Sequence, residues 1–136
     1  MSEPIIEVRH LSKSFGTHVV LRDVDFTVNP GDVTCIIGAS GSGKSTLLNM
    51  LAGLEPVTSG EVVINGKHLE RMNQSELILF RQKYVGFIFQ SFNLMPYYTA
   101  LENVAFPLSF RGVPYDKRIL HKGRNAINDI KRLVVV

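Results

Sequence analysis

The 136-residue sequence contains no tryptophan and only one cysteine, Cys35. A single cysteine cannot form an internal disulfide, so a disulfide-stabilised fold is excluded and a reducing compartment is favoured. No uninterrupted apolar stretch approaches the ~20 residues that a membrane-spanning helix needs. The first residues also lack the basic, apolar and small-residue series of a secretory signal. If the protein works at a membrane, we therefore expect other subunits to span it.

Positive charge is concentrated at the C-terminal end of the chain. Residues 117–136 carry six Lys/Arg and one Asp, a net charge of +5, whereas residues 1–116 carry nine Lys/Arg and eleven Asp/Glu, a net charge of −2. The overall charge of +3 therefore belongs to the tail. A basic tail can bind nucleic acid or anionic lipid, but a solvated chain end explains it more simply. We expect no nucleic-acid partner.

What the sequence does contain is a phosphate-binding loop. Residues 38–46 read Gly-Ala-Ser-Gly-Ser-Gly-Lys-Ser-Thr and fit the Walker A pattern G-x-x-x-x-G-K-[ST]. Glycines let the backbone curl so that N–H groups point at an anion, and a following helix N-terminus adds partial positive charge. Lys44 can reach the β- and γ-phosphates, and the Ser45 hydroxyl can hold Mg²⁺. The predicted nucleotide-binding residues of this loop are Ser40, Gly41, Ser42, Gly43, Lys44, Ser45 and Thr46.

The runs that flank the loop support this interpretation over a simple Gly/Ser-rich turn. The apolar residues 33–37 predict a strand that enters the loop, with Cys35 as a small buried hydrophobe. Residues 47–52 predict a helix that leaves it and ends near Gly53, a plausible C-cap. The strand–loop–helix context therefore predicts a site for a nucleoside triphosphate.

The remaining pattern predicts further strands at residues 5–11, 18–28, 61–64 and 85–89, with a loop at 12–17. Asn65-Gly66 predicts a tight turn. Capping-box pairs begin helices at Asn73 and Thr99, and Pro107 should end or kink the second helix. Together these elements predict an α/β fold: a P-loop NTPase core, with a parallel sheet and flanking helices, plus an antiparallel β layer.

Three separated motifs occur in a characteristic order. They are "KSFG" at residues 13–16, the loop with its continuation to residue 66, and "VGFIFQSFNLMPYYTALENV" at residues 85–104. In this order they resemble ATP-binding-cassette (ABC) transporter ATPases, over about residues 5–116. The sequence of residues 80–104 most resembles the subgroup that serves lipoprotein-release and macrolide-export systems.

The resemblance implies roles for residues outside the loop. Phe15 matches the aromatic position that stacks on adenine, although a half-buried loop aromatic is the alternative. Val20 matches a residue near the adenine pocket, or is an ordinary strand residue. Gln90 matches the glutamine that helps hold Mg²⁺ and the attacking water, so Ser45 and Gln90 are the implied metal ligands. ATP and Mg²⁺ are the implied cofactors.

The resemblance also implies partners and a location. They are a transmembrane permease subunit and a second ATPase subunit, with the protein cytoplasmic and peripheral on the inner face of the plasma membrane. In the family, residues 92–104 face a coupling helix of the permease. Their apolar and aromatic side chains suit such a contact, and core packing would explain them equally well.

The sequence departs from the family after the third motif. It contains no signature of L-S-G-G-Q type, no apolar run followed by Asp-Glu and no switch histidine in that context. We expect a nucleotide-binding core with the β layer at 1–92, the start of a helical subdomain at 93–116, and a divergent basic tail at 117–136. We also expect ATP binding without hydrolysis by this chain alone. Two alternatives stay open: a non-catalytic nucleotide- or partner-binding module, and an inactive truncated or frame-shifted product.

Overall fold

The computed structural model describes residues 3–87, 93–110, 112–120 and 134–135. The chain divides into two compact units, Met1–Leu77 and Ile78–Val136, and each is described here by itself.

The first unit is built on a four-stranded antiparallel sheet. Its strands are β1 (Ile6–Phe15), β2 (His18–Val28), β3 (Ser59–Ile64) and β4 (Lys67–His68), in the order β2-β1-β3-β4. The sheet confirms the predicted antiparallel layer and the strands predicted at 18–28 and 61–64. The loop predicted at 12–17 is wrong for most of its length, because β1 continues to Phe15, which pairs with His18 across a two-residue turn. Gly16, with a φ of 58°, makes that turn possible.

The core of this unit lies under the sheet. Its largest fully buried side chains are Val8 and Leu11 of β1, Val62 of β3, and Met50 of the helix α1 (Lys44–Leu51). Burial of each such side chain contributes about 1.5–3 kcal/mol, so the core holds α1 in place below the strands.

Local signals placed the ends of α1 and of β3 correctly. Gly53 follows the last turn of α1 with a φ of 67°, which confirms the predicted glycine at the helix end. Asn65 and Gly66 have φ values of 50° and 70°, as a type I′ turn requires, and they join β3 to β4. A short 3₁₀ helix, Leu69–Arg71, follows β4.

The strand predicted at residues 33–37 is absent, and that prediction was wrong. These residues have no regular secondary structure, and Val33 and Ile37 are 98% and 92% exposed. Cys35 is exposed as well, contrary to the expected buried position. A strand needs neighbouring N–H and C=O groups to pair with, and the described part of the chain places none beside this segment.

The described residues of the second unit are mainly helical. Helix α2 (Gln74–Tyr84) begins in the first unit at a complete capping box, in which Glu76 N–H donates to Asn73 Oδ1 at 3.0 Å and Asn73 N–H donates to Glu76 Oε2 at 2.8 Å. The strand β5 (Gly86–Phe87) pairs in parallel with β6 (Val134–Val135). Residues 88 and 89 of the predicted strand lie outside the described residues.

Two further helices are described in the second unit, α3 (Ala100–Phe110) and α4 (Tyr115–Leu120). Pro107 was predicted to end or kink α3; it does not end the helix, which continues three residues beyond it to Phe110. Proline lacks the N–H for one helical hydrogen bond and its ring crowds the carbonyl four residues earlier, so continuation of α3 through Pro107 costs stability. Within the described residues, no helix is both long enough and apolar enough to traverse a membrane.

Candidate functional site

The loop at residues 38–46 has the backbone that its glycines predict. Gly41 and Gly43 have φ values of 78° and 87°, in the left-handed region that other residues rarely adopt. The Ser42 N–H donates to the Ala39 carbonyl at 3.2 Å, which closes a turn inside the loop. The chain thus reverses direction immediately before α1 begins.

The N-terminus of α1 is left open for an anion. Gly43 is the N-cap residue, it has no side chain to cap the helix, and the first turn contains no acidic residue. The first N–H groups of a helix lack internal partners and carry partial positive charge. Nothing in this turn competes with a phosphate for them.

The Lys44 side chain turns back over the loop. Its Nζ donates to the carbonyl oxygens of Gly38 and Ala39, each at 2.7 Å, and lies 3.4 Å from Ser42 Oγ. These contacts hold the ammonium group against the loop. The motif therefore brings its cation and its backbone donors to one place.

The hydroxyl groups of the motif lie around the same turn. Ser40, Ser42 and Ser45 are exposed, and Thr46 is partly exposed. A Cβ on Gly38 would lie 2.6 Å from Ser42 Oγ, so a larger residue at position 38 would require the Ser42 side chain to move. Among the described residues, the Ser45 hydroxyl makes no hydrogen bond, which leaves its oxygen available to a ligand.

Val20 lies against the end of the loop. A Cβ on Gly43 would lie 2.9 Å from Val20 Cγ1, 2.9 Å from Leu21 Cδ2 and 3.2 Å from the Val20 carbonyl oxygen. Strand β2 and the start of α1 are therefore in direct contact. This contact brings one of the two residues predicted near the adenine pocket to the phosphate loop.

Phe15 is the last residue of β1, next to the turn into β2, and is 49% exposed. The Lys13 Nζ lies over its ring, 4.7 Å from the centroid. An exposed aromatic ring held on one side is suited to stacking a flat base on the other. The predicted base-stacking residue thus has an accessible ring.

Sequence reasoning missed Lys13, which is buried although it is charged. The signal was present in the strand periodicity, because Lys13 is two residues from the fully buried Leu11 and successive alternate residues face one side of a strand. Gln90, the other predicted metal ligand, lies outside the described residues.

Two other groups of side chains have the composition of metal ligands. His10, Asp23 and Asp25 are exposed on β1 and β2, and Glu61, His68 and Glu70 lie at β3 and beyond it. Ion pairs with Arg71 already engage Glu61 and Glu70. A hydrogen bond of 2.8 Å joins His10 Nδ1 to Asp23 Oδ1. These contacts account for both groups, and neither includes a residue of the phosphate-binding motif.

Comparison with known proteins gives consistent results. The family pattern described as ABC transporter matches residues 21–134. The lipoprotein-releasing system ATP-binding protein LolD of Alcanivorax borkumensis is 48% identical over 115 residues, which cover 82% of this chain and 50% of that protein.

A solved dimeric structure of MJ0796, described as a bacterial ABC transporter cassette, superposes with a TM-score of 0.78 at 35% identity and covers 85% of this chain and 53% of that one. A second MJ0796 structure, a post-hydrolysis state bound to ADP and phosphate, superposes with a TM-score of 0.77 at 34% identity over 90% of this chain and 54% of that one. The predicted α/β fold of the P-loop class is thereby confirmed. The chain spans about half the length of the relatives that it matches.

Proposed function

The chain belongs to the ABC transporter family of ATP-binding proteins, and from this membership we propose that it binds ATP with Mg²⁺ at residues 38–46 as the nucleotide-binding part of a transport ATPase. One observation carries the proposal. The Lys44 ammonium is held against the loop by the Gly38 carbonyl, and the left-handed glycines lead into a helix N-terminus with no side-chain cap, an arrangement that suits a phosphate.

In this proposal, phosphate binding exchanges the partners of Lys44. Its Nζ releases the carbonyl oxygens of Gly38 and Ala39 and donates to phosphate oxygens, which are stronger acceptors because they are charged. The N–H groups of the loop and of the first turn of α1 bind the same group. The free energy of binding therefore comes from replacing neutral acceptors with ionised ones.

The Ser45 hydroxyl fits a divalent cation held together with the phosphates, because it is exposed and has no hydrogen-bond partner among the described residues. When bound, Mg²⁺ supplies positive charge that neutralises phosphate oxygens. We further propose that Phe15 stacks on the base and that Val20 lies near it, since Phe15 is accessible and Val20 contacts the end of the loop.

The partners of this protein follow from the family. We propose that it works on the cytoplasmic face of the membrane, with a second ATP-binding subunit and a transmembrane permease. Both solved structures of the relative MJ0796 are dimeric. Export or extraction of a substrate across the membrane would then be coupled to ATP binding and hydrolysis in the assembled transporter.

Exposed apolar side chains of the second unit support a permease contact over simple core packing. Tyr97 is 96% exposed, and Leu94 and Val104 are mostly exposed. A photo-reactive phenylalanine analogue in place of Tyr97 should cross-link in cells to an integral membrane protein. Cross-links to soluble proteins only, or the same products from a probe at Lys67, would contradict this contact.

The nucleotide site is tested by calorimetric titration of the purified chain with Mg-ATP. Lys44→Ala should weaken binding at least about tenfold, because a charge-assisted hydrogen bond contributes about 1.5–3 kcal/mol. Lys67→Ala is the matched control, since Lys67 is an exposed lysine in the β3–β4 hairpin of the same unit. Equal affinities for the wild type and Lys44→Ala would refute the proposed site.

A further inference from the structure

Lys13 is the one buried charged or polar residue among the residues that the structure describes. Only 6% of its surface is exposed, although lysine is almost never buried unless it is paired. A cation in this position costs free energy of desolvation, so its contacts must compensate for the lost water.

Three groups surround the Lys13 ammonium. The Nζ lies 2.5 Å from Glu55 Oε1 and donates to the Pro56 carbonyl at 2.7 Å. It also lies over the Phe15 ring, 4.7 Å from the centroid, within the range of a cation–π contact. The carboxylate, the carbonyl and the ring thus hold the cation in one position.

From these contacts we infer that Lys13 is a positioning residue that holds the Phe15 ring in the orientation needed to stack on the base of a bound nucleotide. The inference rests on the proposed function. One face of the ring lies against the ammonium, and Phe15 nevertheless remains half exposed. The cation draws electron density toward its own face, so the opposite face becomes a better partner for an electron-rich purine.

The same lysine links the base site to the phosphate site. Glu55 and Pro56 follow α1, and the Glu55 N–H donates to the Asn49 carbonyl of that helix at 3.2 Å. Lys13 therefore ties the end of β1, where Phe15 stands, to the segment after the helix that begins with Lys44. This arrangement connects the aromatic ring to the C-terminal end of the helix whose N-terminus follows the phosphate loop.

The test compares two ligands that share a triphosphate chain, of which only ATP carries a base. The full chain is titrated calorimetrically with Mg-ATP and with Mg-tripolyphosphate, for the wild type, Lys13→Met, Lys13→Arg and Phe15→Leu. Lys13→Met should weaken ATP binding by about three- to tenfold, the range of a cation–π contact, and leave tripolyphosphate binding unchanged. Lys13→Arg retains a cation over the ring and should restore most of the ATP affinity.

A nucleotide-free measurement separates positioning from loss of folding. The chain contains four tyrosines and no tryptophan, so Phe15→Trp introduces a single indole at the ring position, which can be excited selectively. Adding Lys13→Met to that variant should raise acrylamide quenching of the indole while the far-ultraviolet circular dichroism stays the same. If Lys13→Met unfolds the chain, Glu55→Gln takes its place, because it keeps the cation and loosens its anchor; it should give the same base-selective loss in weaker form.

The outcomes distinguish the inference from its premise. Equal weakening of both ligands by Lys13→Met, or unchanged ATP affinity, would overturn the positioning role while wild-type ATP binding still supports the proposed function. A wild-type chain that binds neither ligand would overturn both. If Phe15→Leu leaves ATP affinity unchanged, the ring does not stack on the base and the positioning role of Lys13 is refuted. The proposed phosphate site is not affected by that result.

Discussion

Gly43 is the residue at which the phosphate loop, the helix N-terminus and the sheet meet. Its φ of 87° turns the chain into α1, and its missing Cβ leaves room for Val20 and Leu21 of β2. One residue thus satisfies a backbone requirement and a packing requirement together. The Walker A motif needs glycine here for both reasons.

Replacing Gly43 should separate these two requirements from each other. Gly43→Ala should destabilise the chain by about 3 kcal/mol, because a left-handed alanine costs about 1–2 kcal/mol and overpacking adds about 1–3 kcal/mol. Gly31→Ala is the matched control: Gly31 has a φ of 89°, but nothing lies within 4 Å of its Cβ position. Urea unfolding measures the free energy of unfolding of both variants. Equal losses of stability in Gly43→Ala and Gly31→Ala would show that the contact of Gly43 with β2 does not contribute to stability.

At the scale of elements, the start of α3 depends on a capping box. The Glu102 N–H donates to Thr99 Oγ1 at 3.2 Å, and the Thr99 N–H donates to Glu102 Oε2 at 2.7 Å. The backbone N–H and then the hydroxyl of Thr99 hold the pKa of Glu102 below its usual value, because they stabilise the carboxylate.

This cap gives α3 a dependence on pH. Because the pKa in the folded state is lowered, the stabilisation is present above the unfolded pKa and is lost as the pH falls through the folded pKa. Thr99→Ala removes the hydroxyl and keeps the N–H, so it should raise the pKa of Glu102 part of the way toward its usual value. Carbon-13 NMR of the carboxyl group measures the shift, and an unchanged pKa would contradict the role of the hydroxyl.

A second prediction at this scale concerns the reactivity of the Cys35 thiol in residues 33–37. Cys35 is the only cysteine and is exposed, so it should react with Ellman's reagent in the native chain about as fast as in denaturant. A thiol that reacts only after unfolding would show that residues 33–37 are buried as a strand after all. The total of one thiol in denaturant provides the internal control.

The elements that could be predicted from the sequence are those with local signals. Asn65-Gly66, the Asn73 and Thr99 capping boxes and the glycines of the phosphate loop each determine the conformation of a few neighbouring residues. The strand at 33–37 was predicted from apolar character alone, which does not supply the partner strand that its backbone needs. Lys13 was missed for a related reason, since its partners Glu55 and Pro56 are more than forty residues away.

At the scale of the whole molecule, we propose that this chain binds ATP and does not hydrolyse it alone. The attacking water must be oriented and must lose a proton, and no signature loop or Asp-Glu pair occurs in these 136 residues. We therefore expect the purified chain to release no more phosphate from Mg-ATP than the Lys44→Ala variant does. A malachite-green assay measures this, and turnover that depends on Lys44 would contradict the expectation.

The central claim, that residues 38–46 bind the phosphates of ATP, is tested most directly by nitrogen-15 NMR of the chain titrated with Mg-ATP. The account predicts large shifts at the backbone N–H groups of Gly41, Gly43, Lys44 and Ser45, and small ones in the β3–β4 hairpin. Mg-tripolyphosphate should move the same loop signals, because they report on phosphate alone. Unchanged loop signals at saturating Mg-ATP, or shifts centred elsewhere, would contradict the account.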